Sequence, residues 1–324
     1  MTISIAMTTY NGSKYLQEQL DSFVRQTRQP DELVVCDDCS TDDTIDILNR
    51  FKKYAPFSVR IFSNESNIGY SKNFEKALSL CSGDIVFLSD QDDVWLEEKL
   101  YSVETAFNNN PDIMLIINDS FVSDEYCKER LHSKLSNSKF NGLSEDAYIA
   151  GCATAIRSEF LKLVLPFPNS KLFSHDLWIN KLAILSAVRM VLPQQMQLYR
   201  RHACNVTKSS VAANKRVYFP MLLALKTFGL KDCRHGWCEQ ILLNNLFIER
   251  LEKFDSIENS VIFSSANLCY AVSELNKKNV AITARIDLIR YPRYLRVYRI
   301  LFLFFNGFYV QFNGWKSAVK DVFR

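Results

Sequence analysis

An α/β fold on a mostly parallel sheet flanked by helices is predicted by three features of the first hundred residues. Short apolar runs alternate with amphipathic helical patterns. The apolar runs are continuous rather than alternating, which is what strands covered on both faces require. Polar clusters stand where runs end: Thr8 to Asn11, Asp37 with Asp38, and Asp90 to Asp93. Ligands of an open sheet gather outside the carboxyl ends of its strands. In a parallel sheet all three clusters face one crevice.

The elements follow in order. ISIAMTTY is a strand. Tyr15, Leu16, Leu20, Phe23 and Val24 recur at helical spacing, and Pro30 ends that helix. ELVVCDD is a second strand. Ser40 and Asp43 have the spacing of a capping box and open a helix through DTIDILNRFKKY. SVRIFSN is a strand, Asn67 to Gly69 a turn, SKNFEKALSLC a helix stopped by Gly83, and DIVFLSD a strand. LEEKLYSVETAFNN is a helix that Pro111 ends, and IMLIIND a strand. Residues 124–148 are polar and read as long loops. YIAGCATAIRSEFLKLVLP is a strand followed by a helix, SHDLWINKLAILSA a helix starting near Asp176, and VRMVLPQQMQLYRRH strands. Beyond about residue 210 helical periodicity takes over, so the chain divides into residues 1–210 and a mainly helical region, 211–324.

Of 324 residues, 48% are hydrophobic and 23% charged, the balance of a globular protein with a sizeable core. The charge is unevenly placed. Residues 1–110 hold 10 Lys and Arg against 18 Asp and Glu, whereas residues 211–324 hold 17 against 9. An acidic first third suits a cation or a metal-bound anion, and a basic last third suits a polyanionic surface. The nine cysteines are odd in number and scattered, with one lone C-x-x-C at Cys36 and Cys39. They read as reduced thiols of a cytosolic protein. The start, MTISIAMTTYNG, lacks the pattern of a secretory signal.

The stretch FLSDQDDVW places three carboxylates within four positions after an apolar strand. Such crowding needs a positive charge. A strand end turning into a loop aims the alternate carboxylates Asp90 and Asp92 at one point, where a hard cation such as Mg²⁺ or Mn²⁺ takes oxygen ligands and keeps positions open for phosphate. The bland alternative is a solvated turn capping the next helix. Asp37 and Asp38 can accept hydrogen bonds from a nucleobase or a ribose, or one of them can cap the helix that follows.

TTYNGSKYLQEQLDSFVRQT, VVCDDCSTDDT, NIGYSKNFEKAL, SGDIVFLSDQDDVW, GCATAIR and HDLW span roughly residues 3–205. In these segments and their order the chain resembles the family 2 glycosyltransferases, in particular bacterial enzymes of surface-polysaccharide (O-antigen or capsule) synthesis of rhamnosyl or glucosyl type. The resemblance implies the GT-A fold, with a Rossmann-like nucleotide-binding half. It implies that Thr9, Tyr10 and Asn11 line the nucleotide pocket and that Asp38, or Asp37, contacts a uracil or thymine ring. Asn67, Gly69 and Asn73 would shape the wall beside the ribose and phosphates. Asp90 would face the ribose and the metal, with Gln91 beside it, and Asp92 would be the direct ligand of Mn²⁺ or Mg²⁺. Asp93, Trp95, Cys152, His175 and Trp178 would lie near the sugar or the acceptor. Gly151 would let the backbone approach the donor sugar closely.

Asp176 stands where the family keeps its catalytic base, at a helix start where backbone N–H groups and the macrodipole favour negative charge. Family members often carry Glu-Asp here, and this chain has His-Asp. Tyr199 to Asn205 resembles a Y-R-x-H-x-x-N segment, in which His202 would complete the metal or diphosphate site and Arg200 or Arg201 would neutralise the leaving diphosphate. The Q-x-x-R-W signature of processive members is absent from the sequence.

These features imply an inverting, metal-dependent, non-processive transferase. It would move one sugar from a UDP- or dTDP-sugar to an oligosaccharide or lipid-linked glycan. A sugar nucleotidyltransferase would carry a Gly-rich loop after the first strand, and TTYNGSKY has one glycine. A nucleic-acid binder would explain the basic end but not the carboxylates, so no nucleic-acid partner is expected. Arg285, Arg290, Arg293, Arg296 and Arg299 run into an aromatic stretch, Ile300 to Val310, too short to span a bilayer. This pattern suits a helix lying on an anionic membrane surface, here the inner face of the cytoplasmic membrane, or a packed helix with solvated arginines.

Overall fold

The computed structural model describes residues 1–203, Asn205, 233–257 and 263–323. The chain divides into two compact units, Met1–Val217 and Tyr218–Arg324.

In the first unit a nine-stranded sheet collects the apolar runs, in the order β3-β2-β1-β4-β8-β6-β9-β5 with β7 paired to β6. Strands β1 (Ile3–Thr9), β2 (Glu32–Asp37), β3 (Ser58–Ser63) and β4 (Ile85–Ser89) are parallel, as the continuous apolar runs of β1, β2 and β4 lead one to expect, and β3 (SVRIFS) is the partly exposed edge strand. Helices α1 (Leu16–Val24), α2 (Thr44–Lys52) and α3 (Tyr70–Leu80) link them. The chain leaves β1 towards β2 and β3 on one side and returns to β4 on the other. β1 is therefore the switch point, and the crevice opens at its carboxyl end. Thr9 pairs with Asp37 and Met7 with Ser89, which sets the polar strand ends side by side.

The rest of the sheet is mixed. β5 (Val94–Trp95) precedes α4 (Lys99–Asn109), and β6 (Leu115–Ser123) runs parallel to β9 (Arg189–Arg200). β8 (Thr154–Arg157) lies antiparallel between β4 and β6, and β5 is antiparallel to β9. The register of β6 on β9 shifts near Asn118 and Asp119, opposite the segment holding Pro193, whose missing N–H interrupts the ladder. The core joins Ile5 and Met7 of β1 and Phe87 of β4 to Leu20 and Phe23 of α1 and Phe107 of α4. Each such side chain contributes about 1.5–3 kcal/mol by leaving water.

Two local expectations are corrected. Ser40 is no helix cap: its hydroxyl binds Asp37 (2.5 Å) and accepts from Asn11 N (2.8 Å), and α2 starts after Asp43, which makes no side-chain cap bond. Residues 124–148 are not all loop. β7 (Arg130–Ser133) and α5 (Lys134–Phe140) form there, with Ser133 Oγ accepting from Ser136 N at 2.8 Å. The organiser is distant in sequence. Buried Asp119 accepts from Ser133 Oγ (2.5 Å), Leu135 N (2.8 Å) and Gln195 Nε2 (2.7 Å). Two short helices follow, α6 (Leu161–Val164) and α7 (His175–Leu185).

The second unit is helical in its described residues: α8 (Arg234–Ile257), α9 (Ser265–Ile289), α10 (Arg293–Phe305) and α11 (Trp315–Phe323). Asn244 and Asn245 of α8 bind Asn279 of α9 at 2.7 and 2.8 Å. The expected arginine face is only partly present. Arg285 is buried in a bidentate pair with Asp321 (2.7 and 2.9 Å) beneath the rings of Trp237 and Phe312. Arg296 turns inward to the carbonyls of Tyr291 and Ile289. Arg290 and Arg299 are exposed. No helix among the described residues is long and apolar enough to cross a membrane.

Candidate active site

The carboxyl ends of β1, β2 and β4 bring the first three clusters together. Thr9 Oγ1 donates to Asp37 (2.8 Å), which also accepts from Ser40 N (2.9 Å). Asn11, at φ +47°, accepts from Thr41 N at 2.8 Å, so the loops after β1 and β2 are stitched together. Gln91 clasps the main chain of Tyr10 from the other side, accepting from its N (2.9 Å) and donating to its O (3.0 Å). A Cβ on Gly12 would fall 2.2 Å from Gln91 Oε1, so only glycine lets this clasp close. Tyr10 is left half exposed at the rim.

Asp38 accepts from Asn64 Nδ2 (2.8 Å), Ile68 N (2.8 Å) and Gly69 N (2.9 Å). It thereby folds the wall that contains Asn67 and Gly69, and three of roughly four acceptor positions on the carboxylate are taken. Asn73 is buried behind that wall, donating to Cys36 O (2.7 Å) and accepting from Asn64 Nδ2 (2.9 Å). It holds the wall and does not line it.

The third cluster carries the strongest electrostatics. The Asp90 carboxylate has no hydrogen-bond partner among the described residues, and burial together with the charges of Asp92, Asp93 and Asp176 pushes it well above the usual carboxylate range. Asp92 Oδ2 lies 2.8 Å from His202 Nε2, which Asn205 Nδ2 approaches to 3.2 Å. Asp93 is buried and bonded to β9 through Gln197 Nε2 and Arg200 N, each 3.1 Å, and burial and Asp92 push it up to about 6. It stands behind the cluster, where the sugar contact expected of it is blocked. Ligand-type atoms of Asp90, Asp93 and Cys152 lie within 4.8 Å of one another. An unpaired carboxylate beside Asp92 and His202 fits a hard divalent cation. The Cys152 thiol, raised well above its ordinary value by burial, does not.

Asp176 reaches the same cluster from α7. Its Oδ1 accepts from the Ser174 hydroxyl and from Leu177 N (2.9 Å), and no described residue binds Oδ2. Gly151 packs against this helix start: a Cβ there would lie 2.8 Å from His175 Nε2 and 3.3 Å from Asp176 Cβ. His175 is 7% exposed and stacks on Phe74 at 4.1 Å. Neither ring nitrogen has a partner among the described residues, and burial lowers its proton affinity.

Sequence similarity settles the family. The family described as glycosyl transferase family 2 matches residues 4–165. The chain belongs to glycosyl transferase family 2. As a family 2 glycosyltransferase it is an enzyme, and its relatives carry matching descriptions. It is 27% identical over 222 residues to the dTDP-rhamnosyl transferase RfbG of Shigella flexneri, covering 64% of this chain and 75% of that one. It is 28% identical over 186 residues to the Escherichia coli glucosyltransferase WfgD, described as a UDP-Glc:alpha-D-GlcNAc-diphosphoundecaprenol beta-1,3-glucosyltransferase, covering 55% and 68%. The fold matches that of Staphylococcus aureus TarS 1–349 in complex with UDP-GlcNAc, with a TM-score of 0.55 at 15% identity over 100% of this chain and 89% of that one.

Within this glycosyltransferase three assignments need correction. Trp95 and Trp178 lie in the core, where Trp95 meets Phe23 edge-on at 4.8 Å and Trp178 Nε1 donates to Val164 O (3.0 Å). Neither reaches a substrate. Arg200 is 1% exposed and its guanidinium is committed to Asp92 O, Glu125 O and Glu18, so it braces the loop after β4 and is not placed to meet a diphosphate. Arg201 keeps partial exposure. Sequence reasoning missed Lys99, Lys134 and Gln197. All three are buried around the aspartates, and their polar sequence neighbourhoods, LEEKLYS, LHSKLSN and PQQMQLY, carry no signal that they face inward.

Proposed function

We propose that this enzyme is an inverting, metal-dependent, non-processive glycosyltransferase. It would move a single sugar from a UDP- or dTDP-sugar to a hydroxyl of a lipid-linked oligosaccharide in bacterial surface-polysaccharide synthesis. One observation carries the reading: Asp90 and Asp92, at the end of β4, and Asp176, at the start of α7, converge on one cluster although 84 residues or more separate them in sequence. A metal-bound diphosphate needs the first pair, and an acceptor hydroxyl needs the third.

Asp92 and Asp90, with His202, would hold Mn²⁺ or Mg²⁺, whose charge would stabilise the departing nucleoside diphosphate. Tyr10 and Asn11 form the rim that would receive the base and ribose, with Thr9 buried behind them on Asp37 and Asp38 offering its remaining acceptor position to a ring N–H. Arg201, partly exposed, would offer its charge to the diphosphate. Oδ2 of Asp176 would take the proton of the attacking hydroxyl while Ser174 and Leu177 fix Oδ1. A single displacement of this kind inverts the anomeric centre.

The second unit supports work at a membrane surface. Tyr294, Tyr298, Phe302 and Phe305 follow one stripe of α10, and the latter two are 64% and 81% exposed, while Ile300 and Leu303 on the opposite face are buried. No acidic residue lies between Asp287 and Asp321, and Arg290, Arg299 and Lys316 are exposed there. An exposed aromatic stripe in a stretch that carries exposed cations and no acidic residue suits an anionic bilayer surface on the cytoplasmic side. Titrating a panel of nucleotide sugars into the full chain with Mn²⁺ and then with EDTA tests the donor half of the proposal. Metal-dependent binding of one donor is expected, and binding of none would refute it.

A further inference from the structure

The aspartate cluster has a buried cation behind it that the proposed mechanism does not use. Lys99 opens α4 and is 1% exposed. Its Nζ sits 3.8 Å from the centre of the Trp95 ring. It donates to Cys152 O at 3.1 Å and to Gln197 Oε1. The other end of Gln197 donates to Asp93 Oδ2 (3.1 Å) and to Cys152 Sγ (3.3 Å). The ammonium is thus one side chain removed from Asp93 and is bonded directly to the residue that follows Gly151.

Both sides of this arrangement need the other. An ammonium buried among neutral acceptors is costly unless negative charge is close. Asp90, Asp92 and Asp93 are equally costly unless positive charge is close. Burial draws the Lys99 ammonium down to about 7, against the opposing pull of Cys152, Asp93 and Asp90. Lys134, buried with Nζ 4.2 Å from the Tyr199 ring, acts on Asp90 and Asp93 from a second direction.

We infer that Lys99 is a resident counter-cation, built into the floor of the aspartate cluster, which stabilises the metal-free site and against whose charge an entering divalent cation must bind. This rests on the metal-dependent reading above. Lys99 is a positioning residue: it touches neither substrate nor metal, and acts through Gln197 and the Cys152 carbonyl. A unit charge behind the metal ligands, at the effective dielectric of such sites, alters cation affinity by about tenfold.

The test is Mn²⁺ binding to the full-length protein without nucleotide, read from the signal of free Mn²⁺ at pH 6.5, with thermal melts in EDTA and in saturating Mn²⁺. Lys99→Met removes the charge and the donor, and Lys99→Gln removes the charge but keeps a donor. Both variants are expected to bind Mn²⁺ about tenfold more tightly than wild type, and so to gain more in melting temperature from saturating Mn²⁺, relative to EDTA, than wild type does. A strut without an electrostatic role cannot tighten binding, so unchanged or weaker affinity in both variants would overturn the inference. Variants that fold only with Mn²⁺ would support it, and variants that fold under neither condition would overturn it. Wild type that binds no Mn²⁺ would defeat the metal reading itself, and this inference with it.

Discussion

His202 Nε2 lies 2.8 Å from Asp92 Oδ2, bringing together the ends of β9 and β4 across 110 residues of sequence. The imidazole holds the carboxylate where a divalent cation would take it. Asp92→Ala is expected to abolish Mn²⁺-dependent donor binding. His202→Ala is expected to weaken it by about 10- to 100-fold, as loss of an orienting partner does. Calorimetric titration of the donor with and without EDTA checks both, and donor binding by Asp92→Ala equal to wild type would remove Asp92 from the metal site.

The buried carboxyls give the metal-free protein a distinctive pH response. Asp93 is pushed up to about 6 and Asp90 well above its ordinary value. The folded protein therefore holds these protons more tightly than the unfolded chain. The contribution of Asp93 to stability is full below about pH 4 and is lost as pH rises through about 6. In EDTA, wild type is expected to lose on the order of 2 kcal/mol over that interval relative to Asp93→Asn. Denaturant melts at pH 4.5, 5.5 and 6.5 measure the difference, and parallel curves would contradict it.

Gly151 meets His175 and Asp176 too closely for a side chain. Gly151→Ala must push α7 away from the turn. The expected result is about 1–3 kcal/mol of lost stability and a fall in kcat on the order of 100-fold, with donor KM nearly unchanged. Steady-state kinetics with the identified donor separates the two. An equal loss in donor affinity would place Gly151 in the nucleotide pocket instead.

The aromatic stripe of α10 predicts selective lipid binding. Replacing Phe302 and Phe305 together by serine is expected to weaken binding to vesicles containing anionic lipid by at least about tenfold, because each ring leaves water on binding. Raising the salt should weaken wild type as well. Co-sedimentation with anionic and with zwitterionic vesicles reads both effects, and equal binding of wild type and variant would reject this surface.

The parallel half of the fold was legible because its signals are local. Continuous apolar runs mark β1, β2 and β4, and the polar clusters at their ends mark the crevice. In the other half β6, β8 and β9 were legible as strands, but β5 and the antiparallel pairing were not, since both depend on partners far away, Gln197 and Leu198 for β5 and Ile85 to Phe87 for β8. The helix at Lys134 escaped notice for the same reason: a polar, serine-rich segment becomes helical once Asp119 binds its first turn. In the site, residue type pointed to the aspartates and to His202. It could not show which polar groups face inward. In the sequence neither Arg200, in LYRRH, nor Lys99, in LEEKL, shows which way its cation points. The structure makes the first a brace for the loop and the second a buried neighbour of the aspartate cluster.

The most direct test of the central claim, a metal-bound donor facing a carboxylate base, is a parallel calorimetric and turnover measurement on wild type, Asp92→Ala and Asp176→Asn with Mn²⁺ and the identified nucleotide sugar. The assigned roles predict that Asp176→Asn binds donor as wild type does while its turnover falls by about 10²–10⁴-fold, and that Asp92→Ala binds none. Normal turnover in Asp176→Asn, or loss of donor binding in it alone, would contradict them.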